Sequence, residues 1–273
     1  MRDSFVKTIK EILTLNSETY LLTGDLGFGI FDSFDELFEG RYLNVGVAEQ
    51  NMIGIATGLG LINKSVFCYS IANFVFMRNL EQVRNGPVYH DCNVTLVCSG
   101  GGFTYGQLGF SHFAIEDYGI LSTFSKINIL LPSTAYQVEL ATKFCNSSMC
   151  VNYLRLEKKE FFFDTCPLIS NETKSKELGL QRYALGQEIA ILAIGGLLEV
   201  AMKYYEMSNN KKNCSIYSIT CLSDLDDKNF INEICNYKKL YILEEHVKNN
   251  SVGQKVKSLR LDIEIIHLCI DDG

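Results

Sequence analysis

Short apolar runs that alternate with longer helical patterns constrain this chain more than any other feature of its sequence. Runs of strand length occur at residues 19–25, 65–71, 93–100, 127–133 and 151–157. Helical patterns lie between them, at about residues 46–62, 72–86, 115–124 and 134–147. Strands that alternate with helices form mostly parallel sheets flanked by helices. The first half of the chain is therefore predicted to be an α/β domain, and such domains bind ligands at the carboxyl ends of their strands.

A second α/β series follows a polar connection. Its strand-like and helical segments lie at residues 188–196, 198–207, 214–220, 228–236, 238–246 and 263–270. The segment FFFDTCPLISNETKSKELG, which separates the two series, is punctuated by polar residues. A chain of 273 residues is long enough for two domains of ordinary size. We therefore expect one domain at residues 1–165, a linker at 166–181 and a second domain at 182–273.

Charge and cysteine content argue against several classes of protein. The formal net charge is −7 and no basic run stands out, which argues against a nucleic-acid partner. The ten cysteines form no CxxC pair and lie mostly in apolar strings, so we expect buried thiols in a reducing cytoplasm rather than a metal site or disulfides. No apolar stretch reaches the roughly 18 residues of a membrane span. The first 15 residues have helical spacing and lack the features of a signal peptide.

A carboxylate stands inside an otherwise apolar helical segment. In RYLNVGVAEQNMIGIATGLGLI, at residues 41–62, polar residues interrupt the helical pattern at Glu49, Gln50 and Asn51. A carboxylate beside a dry surface is costly to ionise without a partner. The segment therefore raises the question of what Glu49 binds.

Two glycine-rich segments follow predicted strands. GDLGFG, at residues 24–29, matches neither common phosphate-binding pattern, and the pattern favours a tight strand-to-loop turn over a ligand loop. GGGFTYGQLG, at residues 100–109, is either a loop that approaches a ligand or a plain linker. His112 follows this loop and is either a structural residue or a catalyst. Arg155 lies in a strand-like run, where it forms either a salt bridge or an anion clamp.

Together these residues resemble the C-terminal half of transketolase. The first stretch is similar to the family pattern R-F-x-N-V-G-I-A-E-Q-N-M-V-G-x-A-x-G-L-A. It is followed, in the family's order and spacing, by ANFVFMRNLEQVRN, by YGQLGFSHFAIED, and by LEEH with VGQKV. The resemblance covers nearly the whole chain and is greatest for the separately encoded small subunit of split transketolases. It implies a pyrimidine-binding domain followed by the transketolase C-terminal domain, and transfer of a two-carbon ketol unit between sugars or sugar phosphates.

The resemblance implies thiamine diphosphate as the cofactor. Glu49 matches the catalytic glutamate that contacts a ring nitrogen of the cofactor's aminopyrimidine, where a carboxyl in an apolar environment can share a proton. Phe74 matches the phenylalanine that stacks on this ring, with Phe76 as the alternative. Asp25 and Leu26 match the family's A-D-L stretch, which lies beside the cofactor across the subunit interface.

The resemblance also assigns residues to the substrate, with departures. His112 matches a catalytic histidine that faces the donor ketose, and Arg155 matches the arginine that binds the sugar phosphate. Leu108 replaces an acidic residue that binds a sugar hydroxyl, and leucine accepts no hydrogen bond. Gly100 stands where some transketolases carry a substrate histidine, and residues 132–134 are Pro-Ser-Thr instead of P-A-D. These departures predict an atypical donor or a site that has drifted.

The family's GDG…N element, which holds the diphosphate and its Mg²⁺, is absent from this sequence. The chain is therefore expected to hold half a site without a metal ligand and to need a diphosphate-binding large subunit, in an α2β2 assembly with homodimerisation. Two alternatives stay open. One is a 2-oxo-acid dehydrogenase β-type or deoxyxylulose-phosphate-synthase-like subunit. The other is a non-catalytic subunit that kept the fold.

Overall fold

Six strands form the first sheet of the protein. The computed structural model describes residues 1–27, 29–157, 178–209 and 211–271. The six strands are β1 (Thr19–Thr23), β2 (Tyr42–Asn44), β3 (Ser65–Ile71), β4 (Val94–Ser99), β5 (Ile127–Leu130) and β6 (Val151–Leu156). All neighbours pair in parallel, in the order β2-β1-β3-β4-β6-β5. Because all the strands are parallel, the loops that follow them leave the same edge of the sheet, and the strand order reverses beside β1.

Helices cover both faces of this sheet. They are α1 (Arg2–Leu15), α2 (Phe34–Leu37), α3 (Glu49–Leu61), α4 (Ala72–Val75), α5 (Leu80–Val83), α6 (Asp117–Leu121) and α7 (Ala135–Ser147). Successive strand residues point to opposite faces, and both faces are buried here. Leu22 and Cys68 pack on the face covered by α3, whereas Leu21 and Phe67 pack on the face covered by α1 and α7. This double coverage explains why the strands appear in the sequence as continuous apolar runs.

A second sheet of five strands follows. Its strands are β7 (Leu180–Ala184), β8 (Ile189–Ala193), β9 (Cys214–Ile219), β10 (Lys239–Val247) and β11 (Glu264–Ile270), and its helices are α8 (Leu197–Met207), α9 (Lys228–Ile234) and α10 (Val252–Ser258). The order is β11-β10-β8-β9-β7, with β7 antiparallel to β9 and the other pairs parallel. The two sheets confirm the predicted α/β class. Most of the predicted linker lies outside the described residues, and its last two residues already belong to β7.

The predicted helix at residues 72–86 is wrong. The chain forms α4, breaks, and continues as α5 and a π-helical turn at Arg84–Val88. At the break, the buried Asn79 side chain donates to the Phe74 carbonyl at 2.7 Å, so a side chain satisfies a group that a longer helix would satisfy with its backbone. The break leaves Phe74 and Arg78 beside the carboxyl end of β3.

The structure also describes the helix lengths and the state of the cysteines. Among the described residues, no helix is long and apolar enough to cross a membrane. The nine cysteines in the same residues form no disulfide bond. Burial raises the pKa of several of these thiols, including Cys68 and Cys145, because a thiolate is poorly solvated in the core.

Candidate active site

The candidate site lies where three parallel strands end. Glu49 is the first residue of α3, which follows β2, and Phe74 lies in α4, directly after β3. His112 lies in a short 3₁₀ turn of the loop that follows β4. This is the edge at which parallel α/β sheets carry ligands, as the sequence predicted.

Glu49 is buried and paired. Only 4% of its side chain is exposed, and its Oε2 accepts a hydrogen bond from Arg78 Nη1 at 2.9 Å. The Arg78 side chain is 45% exposed, so the ion pair joins a buried carboxylate to a cation at the surface. The sequence raised the question of a partner for this carboxylate, and in the structure that partner is Arg78.

Arg78 also covers the ring of Phe74. The guanidinium carbon lies 4.4 Å from the centroid of the Phe74 ring, and the His112 ring meets the same phenylalanine edge-on at 5.1 Å. Phe76, the alternative stacking residue, is fully buried and packs against Tyr153 in the core. The structure therefore brings Phe74, and not Phe76, together with Glu49 and His112.

The loop that carries His112 is fastened at both ends. An isolated bridge between Gly102 and Ala114 closes its base. Close to His112, the Asn73 side chain donates to the carbonyl oxygens of Ser111, at 3.2 Å, and Phe113, at 2.5 Å. His112 is half-buried, and its Nδ1 lies 3.0 Å from the Ser111 hydroxyl. Since Asn73 belongs to the same helix as Phe74, one short element holds both the stacking ring and the histidine.

Asp25 and Leu26 follow β1 in a strained turn. Asp25 has a φ of +57°, in the left-handed region that is uncommon for residues other than glycine. Asn44 holds this turn, because its side chain accepts from the Asp25 amide at 3.0 Å and donates to the Asp25 carboxylate at 3.1 Å. Leu26 is half-buried beside it. A Cβ placed on Gly24 would lie 3.4 Å from the Glu49 side chain, so this turn packs directly against the carboxylate.

Arg155 ends β6 beneath the base of the loop and is 4% exposed. Its Nε lies 3.2 Å from Asp117 Oδ2, and its guanidinium covers the Tyr118 ring at 5.3 Å. Its Nη2 donates to the carbonyl oxygens of Ala114, at 3.2 Å, and Glu245, at 3.3 Å. The structure therefore shows the salt bridge that the sequence allowed, and it does not place this guanidinium beside Glu49 and Phe74.

The positions that depart from the family pattern have physical explanations. Gly100 has a φ of +82°, and a Cβ there would lie 2.3 Å from the Tyr105 ring, so no larger side chain fits. Thr134 caps α7 by accepting from the Gln137 amide at 3.2 Å. Leu108 is 52% exposed and Phe110 is 74% exposed, so the loop presents apolar side chains to its surroundings. The described residues contain no cluster of three or more potential metal ligands.

Comparison with known proteins identifies a family for this arrangement. The model of the transketolase pyrimidine-binding domain matches residues 1–160. An apulose-4-phosphate transketolase subunit from Actinobacillus succinogenes is 28% identical over 82% of this chain and 71% of its own length. A protein named putative transketolase C-terminal section, from Methanocaldococcus jannaschii, is 27% identical over the whole chain and 86% of its own length.

A solved structure described as a split gene transketolase, inactive β4 tetramer, superposes with a TM-score of 0.83 at 23% identity. The superposition covers 99% of this chain and 89% of that one. It extends through both sheets, so the similarity of fold reaches beyond the residues that the family model matches.

Proposed function

Because the chain belongs to the transketolase pyrimidine-binding domain family, we propose that it is the pyrimidine-binding subunit of a split, thiamine-diphosphate-dependent transketolase-like enzyme. Such an enzyme transfers a two-carbon ketol unit between sugars or sugar phosphates. The observation that carries the proposal is the juxtaposition of the buried Glu49 carboxylate with the ring of Phe74, bridged by a flat cation.

The guanidinium of Arg78 acts as a stand-in that tests whether the cofactor fits. It is planar, it donates an N–H to Glu49 Oε2, and it lies over the face of Phe74. An aminopyrimidine ring is also planar, so Glu49 would hold its ring nitrogen and Phe74 would hold its face. The pair is thus shaped for a flat nitrogen heterocycle. A ring held in this way would take the place of the Arg78 guanidinium, whose side chain is 45% exposed.

Each residue of this chain then has a defined task. Thiamine diphosphate, when bound, supplies the stabilised carbanion chemistry needed to break a carbon–carbon bond beside a ketone. Glu49 Oε2 holds or releases the proton that it shares with the ring nitrogen. Phe74 orients the ring by stacking, and Asp25 with Leu26 lines its side. His112 faces the donor, where its imidazole orients a sugar hydroxyl and moves its proton.

We assign the diphosphate and its Mg²⁺ to a large partner subunit, because the GDG…N element that holds them in the family is absent from this sequence. The exposed apolar side chains near the site, Val47, Leu108 and Phe110, suit a surface that a partner covers. Two copies of each subunit would complete an α2β2 enzyme in the cytoplasm. The similar solved structure was described as an inactive tetramer of β subunits, and we infer that this chain is likewise inactive without its partner.

For Arg155 the sugar-phosphate contact remains a proposal that competes with its ion pair to Asp117. Replacing Arg155 with Lys keeps the charge and shortens its reach, and the comparison uses a phosphorylated donor and its unphosphorylated analogue. A loss confined to the phosphorylated donor, of about tenfold or more, supports phosphate binding. Equal losses for both donors assign Arg155 to the structure of the loop base.

Titration calorimetry tests the proposed function directly. The chain alone should bind thiamine diphosphate weakly or not at all, and the chain co-expressed with its diphosphate-binding partner should bind it in a Mg²⁺-dependent manner. Ketol transfer over a panel of donors then identifies the substrate. Tight binding by the isolated chain would overturn the divided site. Binding by the assembled pair without transfer to any acceptor would favour a non-catalytic subunit.

A further inference from the structure

The LEEH segment, Leu243–His246, has no task in the proposed chemistry. Its side chains nevertheless form hydrogen bonds between the two domains. It lies in β10 of the second sheet. Each of its three polar side chains bonds to the first domain: Glu244 accepts from the Tyr118 hydroxyl at 2.6 Å, Glu245 from the Phe103 amide at 3.2 Å, and His246 from the Gly119 amide at 3.1 Å. The segment is therefore built to hold the first domain.

Glu245 grips the base of the loop that carries His112. Its Oε2 accepts from Phe103, the first residue inside the Gly102–Ala114 bridge. Its backbone carbonyl accepts from Arg155 Nη2, and that same nitrogen also donates to the Ala114 carbonyl on the opposite strand of the bridge. One residue of the second domain thus contacts both ends of the loop, directly at one end and through Arg155 at the other.

Two consecutive glycines make this approach possible. A Cβ on Gly101 would lie 1.8 Å from Arg155 Nε, and a Cβ on Gly102 would lie 1.8 Å from Glu245 Oε2. Real Cβ contacts do not reach such distances, so any side chain at Gly101 or Gly102 would displace Arg155 or Glu245 from the base of the loop. The glycine run that the sequence left open as a ligand loop or a linker therefore serves, in part, to admit the arginine and the glutamate.

A third hydrogen bond attaches the loop to Glu157, the residue that follows β6. The Thr104 hydroxyl donates to Glu157 at 3.1 Å. Burial raises the pKa of Glu157 above its ordinary value, although the nearby Arg155 acts in the opposite direction. With the Asn73 contacts beside His112, these bonds hold both ends of the loop, so the second domain helps to set the position of the histidine.

We propose that Glu245 is a positioning residue for His112: by binding the Phe103 amide and Arg155 together, it lets the second domain fix the loop that faces the donor. The catalytic part of this inference rests on the proposed function. The structural part does not, because it concerns only the mobility of residues 103–114 in the chain itself.

Two substitutions of Glu245 distinguish the effect of its side-chain length from the effect of its charge. Glu245→Gln keeps an oxygen at the same reach and loses the charge, whereas Glu245→Asp keeps the charge and shortens the side chain by one methylene. Hydrogen–deuterium exchange of the full chain alone, read by mass spectrometry, should show exchange in residues 103–114 raised about 10- to 100-fold in the Asp variant and within threefold of the natural chain in the Gln variant. Glu264→Asp, on β11 of the same sheet, is the matched control, since this exposed glutamate forms its ion pair with Lys239, away from the loop.

The assembled enzyme gives the second readout. The Asp variant should raise KM for the donor and lower kcat/KM about 10- to 100-fold, with cofactor affinity unchanged, and the Gln variant should restore both. Equal exchange in all variants would overturn the clamp. A loss in the Gln variant with none in the Asp variant would also overturn it, because the charge and not the reach of Glu245 would then matter. If exchange responds as expected but no variant or natural enzyme transfers ketol units, the clamp stands and the proposed function fails.

Discussion

Replacing Glu49 with Gln should remove most activity while leaving the fold in place. Gln is close to Glu in shape, and its oxygen can still accept from Arg78, so the packing around this nearly buried residue changes little. It cannot exchange a proton with a pyrimidine nitrogen. Proton transfer by a positioned side chain is worth about 10²–10⁴-fold, or about 2.7–5.4 kcal/mol of activation free energy.

The effect on stability should be much smaller. The pair joins a carboxylate with 4% exposure to a guanidinium with 45% exposure, so solvent still reaches one partner and screens the charge. Exposed and half-exposed pairs contribute about 0–1 kcal/mol to the free energy of unfolding. The catalytic loss therefore exceeds the loss of stability several-fold, and the two can be measured separately.

The assay measures exchange of the cofactor's thiazolium proton rather than formation of product. In the assembled enzyme with cofactor, deuterium exchange at the thiazolium carbon is stopped with acid and read by NMR, and the thermal midpoint is measured on the same samples. Glu81→Gln, an exposed glutamate on α5, is the matched control for the substitution. Exchange as fast in the Glu49 variant as in the control would refute the assignment of Glu49 as the proton carrier.

Three further outcomes follow from the site and its supports. Arg155→Ala should lower the free energy of unfolding by about 3–5 kcal/mol, measured by urea denaturation, because the fully buried Asp117 loses its guanidinium partner and keeps only neutral or more distant ones such as the Tyr153 hydroxyl. A change below about 1 kcal/mol would contradict a structural role. Leu108→Asp, at a half-exposed position, should raise kcat/KM about tenfold or more for a donor with a hydroxyl at the matching carbon, and no gain with any donor would show that this position does not read the sugar. Burial lowers the pKa of His246, so the unfolded chain binds the proton first and stability should fall as the pH drops from about 6.5 through the lowered value; thermal midpoints across pH 5–8 should lose this slope in His246→Gln.

The sequence predicted the fold well because the central strands of both sheets, such as β3, β4, β8 and β9, are buried on both sides. Runs such as SVFCYSI have no polar face, and their bounds as strands follow closely from composition, as for β3 at Ser65–Ile71. β7 was not predicted, because an antiparallel edge strand with a mixed pattern gives a weak apolar signal. The helix expected at residues 72–86 breaks at Asn79 through a side-chain bond to Phe74, and helical periodicity carries no information about such a bond.

The centre of the site followed from one long motif, but its contacts did not. Glu49 and Phe74 were identified by resemblance, whereas the pairing of Glu49 with Arg78 joins residues 29 positions apart. Arg78 stood in the segment ANFVFMRNLEQVRN, four positions after Phe74, but the chain forms a turn between Val75 and Leu80, so helical spacing does not explain the contact. The contact of Glu245 with Phe103 spans 142 positions and needed the structure.

The polar bonds of LEEH also bear on where a gene for such a protein can be divided. Cutting a chain in two is tolerated where few contacts cross the cut, but here Asp117, Tyr118 and Arg155 would each lose a polar contact to the second domain if that domain were removed. Fission between these two domains would therefore penalise both fragments. We therefore expect the two domains to be inherited together, and to be exchanged between proteins as a single unit.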